Sequence, residues 1–524
     1  MTPIPLGSLD AMPRHNEMQV FEAGGEKIVV ARVEDEYFAF RQACSHYQGN
    51  LNEGVLNGHT VMCPLHHACF DIRSGLRTEP PALSNIPTYP LSERDGHLWI
   101  DIEAAIMVTP ETFPDDRTMV IVGAGGAGEA AVEELWRLGF GGKSILIGDI
   151  GMLPIDRPNV SKDYLAGKAK AEWMPLRDHH WYERRGITLM LDQAVTAIQA
   201  DAHMITLADG ETLTFDKLLL ATGAHPRTLE KVPGWGMKNI FLLREQADAD
   251  RILGVVSQGS RAVIIGASFI GMEVASSLGK RGVEVTVVGL ETVPFEKILG
   301  EEIGALFQQE HESNGVKFRL KSEIEQFEGG EAGVTGVVLK DGETLEADFV
   351  VVGVGAQPNT GFLKDSVLKL NARDGAVLVD ERLETSAVDI YAAGDIARYD
   401  LNGESIRIEH WRVAQQQGVI AAHNMFGDEA TVRDHVPFFW TNQWKLGMRY
   451  VGHATKWDEI VYRGKIESGK FIAFFVKDCE WLAAAGFGSN QEMAALEFIK
   501  RDGKPLSKAR MQDADFDLAK YAAE

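Results

Sequence analysis

Short apolar runs separated by turn residues fill the first part of the chain. Lys27–Ala31, Tyr37–Phe40 and His97–Ile100 are examples. Runs of this length between turns are typical of the strands of an all-β domain. We therefore predict a β domain over residues 1–105. The stretch 106–116 that follows is rich in proline and acidic residues, which indicates a linker.

A second pattern begins after this linker and occurs twice. Each copy has an apolar run, a glycine-containing turn, the start of a helix and a second apolar run. The copies are Thr118–Gly128 with Ser144–Asp149, and Arg261–Gly271 with Val283–Val288. Strand, turn, helix and strand in this order form the βαβ unit of a dinucleotide-binding domain. The repeat predicts an α/β region with two dinucleotide sites.

The glycines of the first copy suit the pyrophosphate of a dinucleotide. Gly123 allows a tight turn, Gly125 lets the backbone approach the pyrophosphate, and Gly128 lets helix and strand pack closely. The start of the helix then offers free N–H groups and a partial positive charge to the phosphates. Asp149, at the end of the second strand, is the candidate ligand for a ribose hydroxyl.

The second copy departs from this pattern at its centre. Gly266 and Gly271 hold the outer positions, but Ser268 replaces the middle glycine. Glu291 is the candidate ribose ligand, although it lies beyond the tip of the second strand. No Lys or Arg follows that strand until Lys297. Because a 2′-phosphate needs a cation there, the sequence favours NADH over NADPH.

Charge and cysteine usage narrow the class of protein. Lys and Arg total 52 and Asp and Glu total 76, so the formal net charge is 52 − 76 = −24. Such a surface repels nucleic acid and anionic membranes. The chain shows no signal-peptide pattern and no apolar run of membrane-spanning length, so we expect a cytoplasmic protein without membrane insertion. The chain has four cysteines: Cys44, Cys63, Cys69 and Cys479. This number is too small for a disulfide scaffold and fits a reducing compartment.

Two mixed cysteine–histidine loops carry the most specific chemistry. Cys44 and His46 form one pair, Cys63 and His66 form the other, and sixteen residues separate the pairs. Two Cys and two His are the ligands of a Rieske [2Fe–2S] centre, so the two cysteines are predicted to bind one iron and the two histidines the other. Zinc accepts the same ligand types, but a zinc finger has a cysteine pair followed by a histidine pair.

The surrounding residues resemble those of bacterial Rieske ferredoxins. The likeness includes the whole segment Cys63–Gly75, with one departure at His67, where a glycine is usual. Gly49 leaves Cys69 without a partner for the additional loop disulfide of high-potential Rieske proteins. Cys69 is therefore expected to be a buried small residue and not a ligand.

Further segments in fixed order identify a second resemblance. They are similar to the flavoprotein reductases of the glutathione-reductase superfamily, especially the ferredoxin reductases of bacterial oxygenase systems. The likeness is closer still to the apoptosis-inducing-factor-like flavoproteins that carry an N-terminal Rieske domain. The segments are Asp156–Lys162, Leu220–Gly223, Val352–Asn359 and Ile390–Asp395.

This resemblance implies a multidomain α/β plus all-β protein. An N-terminal Rieske β domain would precede two Rossmann-like FAD and NAD domains, arranged as in glutathione reductase, and a C-terminal α+β domain. The FAD domain is expected in two pieces, 117–232 and 361–435. The NAD domain is expected between them, over 233–360, and the C-terminal reductase domain over 436–524.

The same resemblance assigns roles to individual residues. Lys162 matches the lysine beside the reactive flavin edge, where its charge stabilises a reduced, anionic flavin, and Glu273 matches its partner. We expect Trp411 and Trp440 to lie either beside the flavin or in the interface core. Trp440 belongs to the segment Pro437–Gln443, which resembles the start of the family's C-terminal domain. The residues expected to contact FAD or NAD are Gly123, Gly125, Gly128, Asp149, Arg157, Lys162, Ala221, Thr222, Gly223, Gly266, Ser268, Gly271, Glu291, Gly355, Gly394, Asp395 and Trp440.

The function that these expectations support is electron transfer. Electrons would pass from NADH through FAD and the fused [2Fe–2S] cluster to an oxygenase, a cytochrome P450 or a ferredoxin, with His46 and His66 as the point of entry or exit. No cysteine occurs between Cys69 and Cys479, which excludes a disulfide reductase. A redox sensor of the apoptosis-inducing-factor type and an NADH oxidase stay open as alternatives. Whether the protein is a homodimer also stays open, as does whether the Rieske domain is mobile or rigidly docked.

Overall fold

The computed structural model describes residues 3–401 and 403–524 of the chain. Among these residues, no helix has both the length and the apolar character that crossing a membrane requires. The α-helices are α1 Gly126–Arg137, α2 His179–Glu183, α3 Gln246–Leu253, α4 Phe269–Gly279, α5 Glu296–Leu299, α6 Glu301–Ser313, α7 Trp411–Phe426, α8 Asn490–Arg501, α9 Lys508–Gln512 and α10 Leu518–Ala523.

The N-terminal region contains strands without α-helices in its described residues. Its antiparallel strands form three small sheets, ordered β1-β11-β10, β2-β3-β4-β9 and β5-β6-β7-β8. Apolar side chains such as Val29, Phe40 and Phe70 are fully buried between them. The strands are β1 Ile4–Ser8, β2 Met18–Ala23, β3 Glu26–Val33, β4 Glu36–Arg41, β5 Val55–Asn57, β6 Thr60–Met62, β7 Cys69–Asp71, β8 Arg77–Glu79, β9 Thr88–Tyr89, β10 Leu91–Arg94 and β11 His97–Ile100.

The first repeat builds a parallel sheet to which two distant parts of the chain contribute. The sheet order is β14-β13-β12-β18-β30, in which β30 comes from the later piece. Helix α7 of that later piece packs on α1. The strands of both pieces are β12 Thr118–Val122, β13 Lys143–Ile147, β14 Ile187–Met190, β15 Val195–Gln199, β16 Met204–Leu207, β17 Thr212–Thr214, β18 Lys217–Leu220, β19 Ala224–Pro226, β29 Val377–Leu378, β30 Ile390–Ala392, β31 Ala397–Leu401 and β32 Glu404–Ile406.

The second repeat builds its own parallel sheet, ordered β20-β27-β21-β22-β23. A two-stranded antiparallel ribbon, β19 with β28, connects this domain to the first. Its strands are β20 Ile240–Leu242, β21 Arg261–Ile265, β22 Glu284–Val288, β23 Lys317–Arg319, β24 Ile324–Gly330, β25 Gly333–Leu339, β26 Thr344–Glu346, β27 Phe349–Val352 and β28 Ala356–Pro358.

The C-terminal domain is a five-stranded antiparallel sheet, ordered β33-β34-β37-β36-β35, and α8 packs on it. One face joins the core of the second repeat, and the other face packs with Val55, Met62 and Cys69 of the N-terminal domain. The predicted fold class is thereby confirmed. The strands are β33 Phe438–Gln443, β34 Leu446–Gly452, β35 Glu459–Lys465, β36 Lys470–Lys477 and β37 Glu480–Phe487.

The predicted linker is anchored at both ends. Ile106 pairs with Thr88 of the N-terminal domain through backbone hydrogen bonds. Phe113 donates its backbone N–H to the carbonyl oxygen of Gly139, just beyond α1. The stretch therefore lies across the two domains that it connects.

Candidate functional site

A cavity of about 650 Å³ lies where the two dinucleotide domains and the C-terminal domain meet. Its size is that of a cofactor or substrate pocket. Its wall brings together many of the side chains and backbone segments that the sequence singles out. These are Gly125, Arg157, Lys162, Ala221, Gly223, Ser268, Glu273, Gly355, Gly394, Asp395, Trp411 and Trp440.

The outer glycines of both repeats form the turns behind this wall. Gly123 has a φ of 114°, and a Cβ there would lie 2.2 Å from the carbonyl oxygen of Ala221. A Cβ at Gly128 would lie 1.9 Å from the carbonyl oxygen of Gly123. Gly266 and Gly271 repeat the same two geometries. Only glycine allows a left-handed turn and a helix this close to the strand, so these residues shape the site through the backbone.

The predicted ribose ligands lie outside this cavity. Asp149 is exposed in the loop after β13. Glu291 lines a second cavity beyond the tip of β22. Thr222 is also absent from the wall, and its hydroxyl donates to the carbonyl oxygen of Asn359, 2.9 Å away. The turns predicted to bind phosphate and the cavity thus lie together, and the two acids lie at the outer ends of their strands.

Lys162 and Glu273 form an ion pair on the cavity wall. The ammonium nitrogen of Lys162 is 2.8 Å from Oε2 of Glu273. Ser161 donates to the same oxygen at 2.6 Å, and Thr441 donates to Oε1 at 2.7 Å. The buried carboxylate is therefore fully hydrogen-bonded, as a buried charge must be. Neither Ser161 nor Thr441 was predicted from the sequence as a site residue, although both lie within segments that carry the resemblance.

Two arginines and a histidine complete the polar wall. Arg157 pairs with Glu245 at 2.7 Å, and Arg244 pairs with Asp395 at 2.8 Å. No local pattern marks Arg244, because only folding places it beside Asp395. Burial lowers the pKa of His410 to about 3, and Nδ1 of this neutral ring has no partner within the described part of the chain. Cations together with an orphaned buried nitrogen suit an anionic, hydrogen-bonding cofactor such as FAD.

The two cysteine–histidine loops have the same backbone design. The N–H of Gln48 donates to the carbonyl oxygen of Cys44, and that of His67 to the carbonyl oxygen of Cys63, at 3.1 Å in both cases. Gln48 and His67 both have positive φ, 57° and 61°. His67 therefore occupies a left-handed position, which is why a glycine is the expected residue there.

The four candidate metal-ligating side chains lie in two pairs. The Nδ1 atoms of His46 and His66 are 3.2 Å apart, close enough to bind one metal ion through bonds of about 2.0–2.1 Å. Burial lowers the pKa of His46 to about 3, so its ring is neutral, as a ligand must be. The buried thiols of Cys44 and Cys63 form the second pair, and the interaction with Cys63 raises the pKa of Cys44.

This pairing fits an iron–sulfur cluster. Nowhere in the described chain do three or more His, Cys, Asp or Glu side chains converge on one metal position. A structural zinc ion needs four ligands around one point, whereas each iron of a Rieske cluster takes two. Cys69 is fully buried and interacts with the carbonyl oxygen of His67 at 3.6 Å.

Trp440 lies between the cluster loops and the cavity. Its ring centroid is 4.4 Å from that of His66 and 6.4 Å from that of His46. The same side chain lines the cavity. The histidines therefore face the cavity across one indole ring.

Tyr47 covers the histidines on another side. Its ring is 4.3 Å from His46 and 5.8 Å from His66, and 49% of the residue is exposed. The hydroxyl donates to Asp156 and accepts from Asn159. The first cluster loop is thus attached to the segment that leads to Lys162.

Buried charges hold the N-terminal domain on the other domains. Nδ1 of His67 is 2.5 Å from Glu497 on α8, and Arg412 on α7 is 2.8 Å from the same carboxylate. Arg412 also donates to the carbonyl oxygens of Pro80 and His67, at 2.8 and 3.0 Å. Glu79 on β8 is 3.4 Å from Arg412. The sequence gives no sign of this network, since its members come from three domains.

Comparison with known proteins agrees with this architecture. The model for "Pyridine nucleotide-disulphide oxidoreductase" matches residues 117–418, "Rieske [2Fe-2S] domain" matches 2–90, and "Reductase C-terminal" matches 438–522. The chain is 31% identical over 514 residues to apoptosis-inducing factor 3 of Homo sapiens, covering 95% of this chain and 84% of the relative.

Bacterial reductases match a smaller share of the chain. The 5,5'-dehydrodivanillate O-demethylase ferredoxin reductase subunit of Sphingobium sp. is 35% identical over 409 residues, covering 77% of this chain and 98% of that protein. The crystal structure of the covalent putidaredoxin reductase–putidaredoxin complex superimposes with a TM-score of 0.74 at 30% identity, covering 78% and 99% of the two chains.

Proposed function

Because the chain belongs to the pyridine nucleotide-disulphide oxidoreductase family and also carries a Rieske domain, we propose that it is an NADH-dependent reductase that delivers single electrons to a partner protein. FAD, when bound, accepts hydride from NADH and releases electrons singly, and the [2Fe–2S] cluster carries one electron at a time. The glycine turns, Arg157 and Asp395 would hold FAD, and Cys44, His46, Cys63 and His66 would hold the cluster.

The position of Trp440 is the observation that carries this proposal. Its ring touches the cavity and lies 4.4 Å from the ring of His66. The cluster and the flavin would therefore be neighbours inside one chain. No movement of the Rieske domain is needed to bring them together, since the buried hydrogen bond between His67 and Glu497 and the buried ion pair between Arg412 and Glu497 already attach it to the other domains.

Lys162 and Glu273 prepare the cavity for a negative charge. The ammonium group of Lys162 lies on the wall, and its position is set by the carboxylate of Glu273. Ser161 and Thr441 hold that carboxylate from two other domains. A preorganised cation of this kind stabilises negative charge as it develops and needs no rearrangement during the reaction.

Electrons would leave on the side of Tyr47. Trp440 covers the histidines toward the cavity, whereas Tyr47 contacts both histidine rings and is half exposed. We therefore place the acceptor protein at this face. Its class is that of the partners named in the relatives, an oxygenase component or a ferredoxin. We expect the protein to work in the cytoplasm, where a reducing environment protects thiolate ligands.

Anaerobic EPR of the purified holoprotein tests the proposal. NADH alone should produce the same Rieske-type signal as dithionite. The rate of cluster reduction, relative to NADH oxidation with an artificial dye, should fall in Trp440→Ala and recover in Trp440→Phe, which keeps an aromatic ring. A signal with dithionite only would overturn the proposal in favour of the sensor role. NADH consumption that needs only oxygen would favour the oxidase.

A further inference from the structure

A network of three hydrogen bonds joins Glu273 on the cavity wall to His311 in the protein interior. Thr441 donates to Oε1 of Glu273 at 2.7 Å, and Nε2 of Gln443 donates to the Thr441 oxygen at 3.1 Å. Nε2 of His311 lies 2.9 Å from Oε1 of Gln443. The side chains of Thr441, Gln443 and His311 are fully buried behind the wall. This Glu273–His311 network ends on the carboxylate that sets the position of Lys162.

Three elements bring these side chains together. Thr441 and Gln443 are two residues apart on β33, so both point to the same face of the sheet. Asn442 between them is exposed. Strand β33 packs on α4, which carries Glu273, and Gln443 reaches His311 on α6. Strand alternation and domain packing together therefore create the network.

The hydrogen bonds of the network have a single possible direction. The carboxylate of Glu273, paired with Lys162, accepts and cannot donate, so the one proton of the Thr441 hydroxyl points to it. The Thr441 oxygen must then accept from the amide nitrogen of Gln443. The amide oxygen of Gln443 is thereby turned to His311, whose Nε2 must carry a proton.

His311 is suited to hold the amide in this orientation. Burial lowers the pKa of His311 to about 4, so the ring is neutral at physiological pH and carries one N–H. Nδ1 has no partner among the described residues, and a buried N–H needs an acceptor, so the proton belongs on Nε2. An amide can present either end to a neighbour, and a fixed N–H donor decides which end of Gln443 faces Thr441.

We propose that His311 and Gln443 are positioning residues for flavin reduction, in which His311 holds the Gln443 amide so that the Thr441 proton stays directed at Glu273. The inference rests on the proposed function, in which the cavity holds FAD. Without His311 the amide is free to turn over, and its oxygen would compete with Glu273 for the Thr441 proton. The carboxylate would then draw more on Lys162, and the pair would offer less positive charge to reduced FAD.

The midpoint potential of bound FAD in the full-length holoprotein tests this role. Anaerobic titration with dithionite and reference dyes, followed at the flavin absorbance, compares wild type with His311→Leu, His311→Gln, Gln443→Leu, the double variant His311→Leu/Gln443→Leu and Gln416→Leu. Gln416 is the matched control because it is also a buried glutamine that donates to a carboxylate, Oε2 of Glu79, at 2.9 Å.

His311→Leu should disfavour reduced FAD by about tenfold, which corresponds to a fall of about 30 mV in a two-electron potential. His311→Gln should stay near wild type, because its amide restores an N–H donor. Gln443→Leu should change the equilibrium by about threefold or less, since cooperative strengthening is lost but no amide competes for the Thr441 proton. The double variant should therefore recover to the level of Gln443→Leu, and Gln416→Leu should match wild type.

The proposal is overturned if His311→Leu keeps the wild-type potential, or if His311→Gln or Gln416→Leu falls as far as His311→Leu. It is also overturned if the double variant does not recover above His311→Leu, because independent effects would add. If His311→Leu does not fold, Thr441→Val removes the same donor from Glu273 and must show the same fall.

These outcomes do not depend on electron delivery to a partner. Dithionite replaces NADH in the titration, and no acceptor protein is present. A failure of NADH to reduce the cluster, which would overturn the proposed function, therefore leaves the order of the potentials measurable. The two proposals can fail separately.

Discussion

At the scale of single residues, the site depends on buried charges whose partners come from other domains. Glu273 shows this most directly, since Lys162, Ser161 and Thr441 approach it from two domains other than its own. Gln443 then donates to Thr441 at 3.1 Å and contacts His311 at 2.9 Å. Removal of any one of these donors would leave a buried carboxylate oxygen of Glu273 with fewer hydrogen bonds.

Thr441→Val should destabilise the protein because it keeps the shape of the side chain and removes the hydroxyl. A hydrogen bond to a charged group contributes about 1.5–3 kcal/mol, and we expect a loss of that order in the free energy of unfolding. Urea unfolding measures it, with Thr441→Ser as the control that restores the donor. Equal stability of the Val and Ser variants would contradict this role for Thr441.

His435 should make stability depend on pH. Burial alone would lower the pKa of His435, and the positive charge of Arg412 also lowers it. The carboxylate of Glu79, 2.7 Å away, and the charge of Asp434 outweigh both, so the net effect is a raised pKa. Because the pKa is higher in the folded state, protonated His435 stabilises the folded protein, and this contribution is complete at pH values below the pKa of an unfolded histidine, about 6.5. That contribution is lost as pH rises through the folded-state pKa.

The thermal midpoint should therefore fall between neutral and alkaline pH, and His435→Gln should flatten this part of the profile. Differential scanning calorimetry across this range provides the comparison. An unchanged slope in the variant would assign the effect to other groups.

At the scale of secondary structure, the FAD domain depends on the contact between α1 and α7. A Cβ at Gly418 on α7 would lie 2.1 Å from the carbonyl oxygen of Ala127 on α1. A Cβ at Gly126 would lie 2.8 Å from the ring of Trp411. The helices thus meet backbone to backbone at the start of α1, where the phosphates of FAD would bind.

Gly418→Ala should push the two helices apart and weaken FAD binding. Overpacking of this kind costs about 1–3 kcal/mol, so both the thermal midpoint and the flavin content should fall. The ratio of flavin to protein absorbance in the purified protein reports the second effect. Gly361→Ala, where a Cβ would meet nothing within 4 Å, is the control and should keep its flavin.

At the scale of the whole molecule, buried charges dock the Rieske domain on the other domains. Arg412 is fully buried and joins Glu497 and Glu79 to the backbone of the cluster domain. Arg77 and Glu134 form another buried contact between this domain and α1, at 2.8 Å. These pairs hold His46 and His66 of the N-terminal domain toward the cavity between the other domains.

Arg412→Ala should release the Rieske domain. Removing one partner of a buried ion pair costs about 3–5 kcal/mol, because the remaining carboxylates lose their countercharge. Proteolysis within 103–116 should accelerate, and reduction of the cluster by NADH should slow. Arg433→Ala, which breaks an exposed pair with Glu381, should cost about 0–1 kcal/mol and leave both rates near wild type. Unchanged proteolysis of the Arg412 variant would mean that other contacts dominate docking.

The sequence by itself determined the fold class, and it predicts the local parts of the site. Gly123 and Gly266 are recognisable because a left-handed turn favours glycine. Cys44, His46, Cys63 and His66 are recognisable as candidate ligands because two Cys and two His are the ligand set of a Rieske centre. Strands and turns are likewise visible in apolar patterns, since they depend on near neighbours.

Only the tertiary structure decided how these parts face one another. It placed Trp440 between the cavity and His66, joined Arg244 to Asp395, and brought His311 to Gln443. These residues lie far apart along the chain and belong to no local pattern. Their proximity results from domain packing, in which apolar burial and paired charges select one arrangement that no short segment can specify.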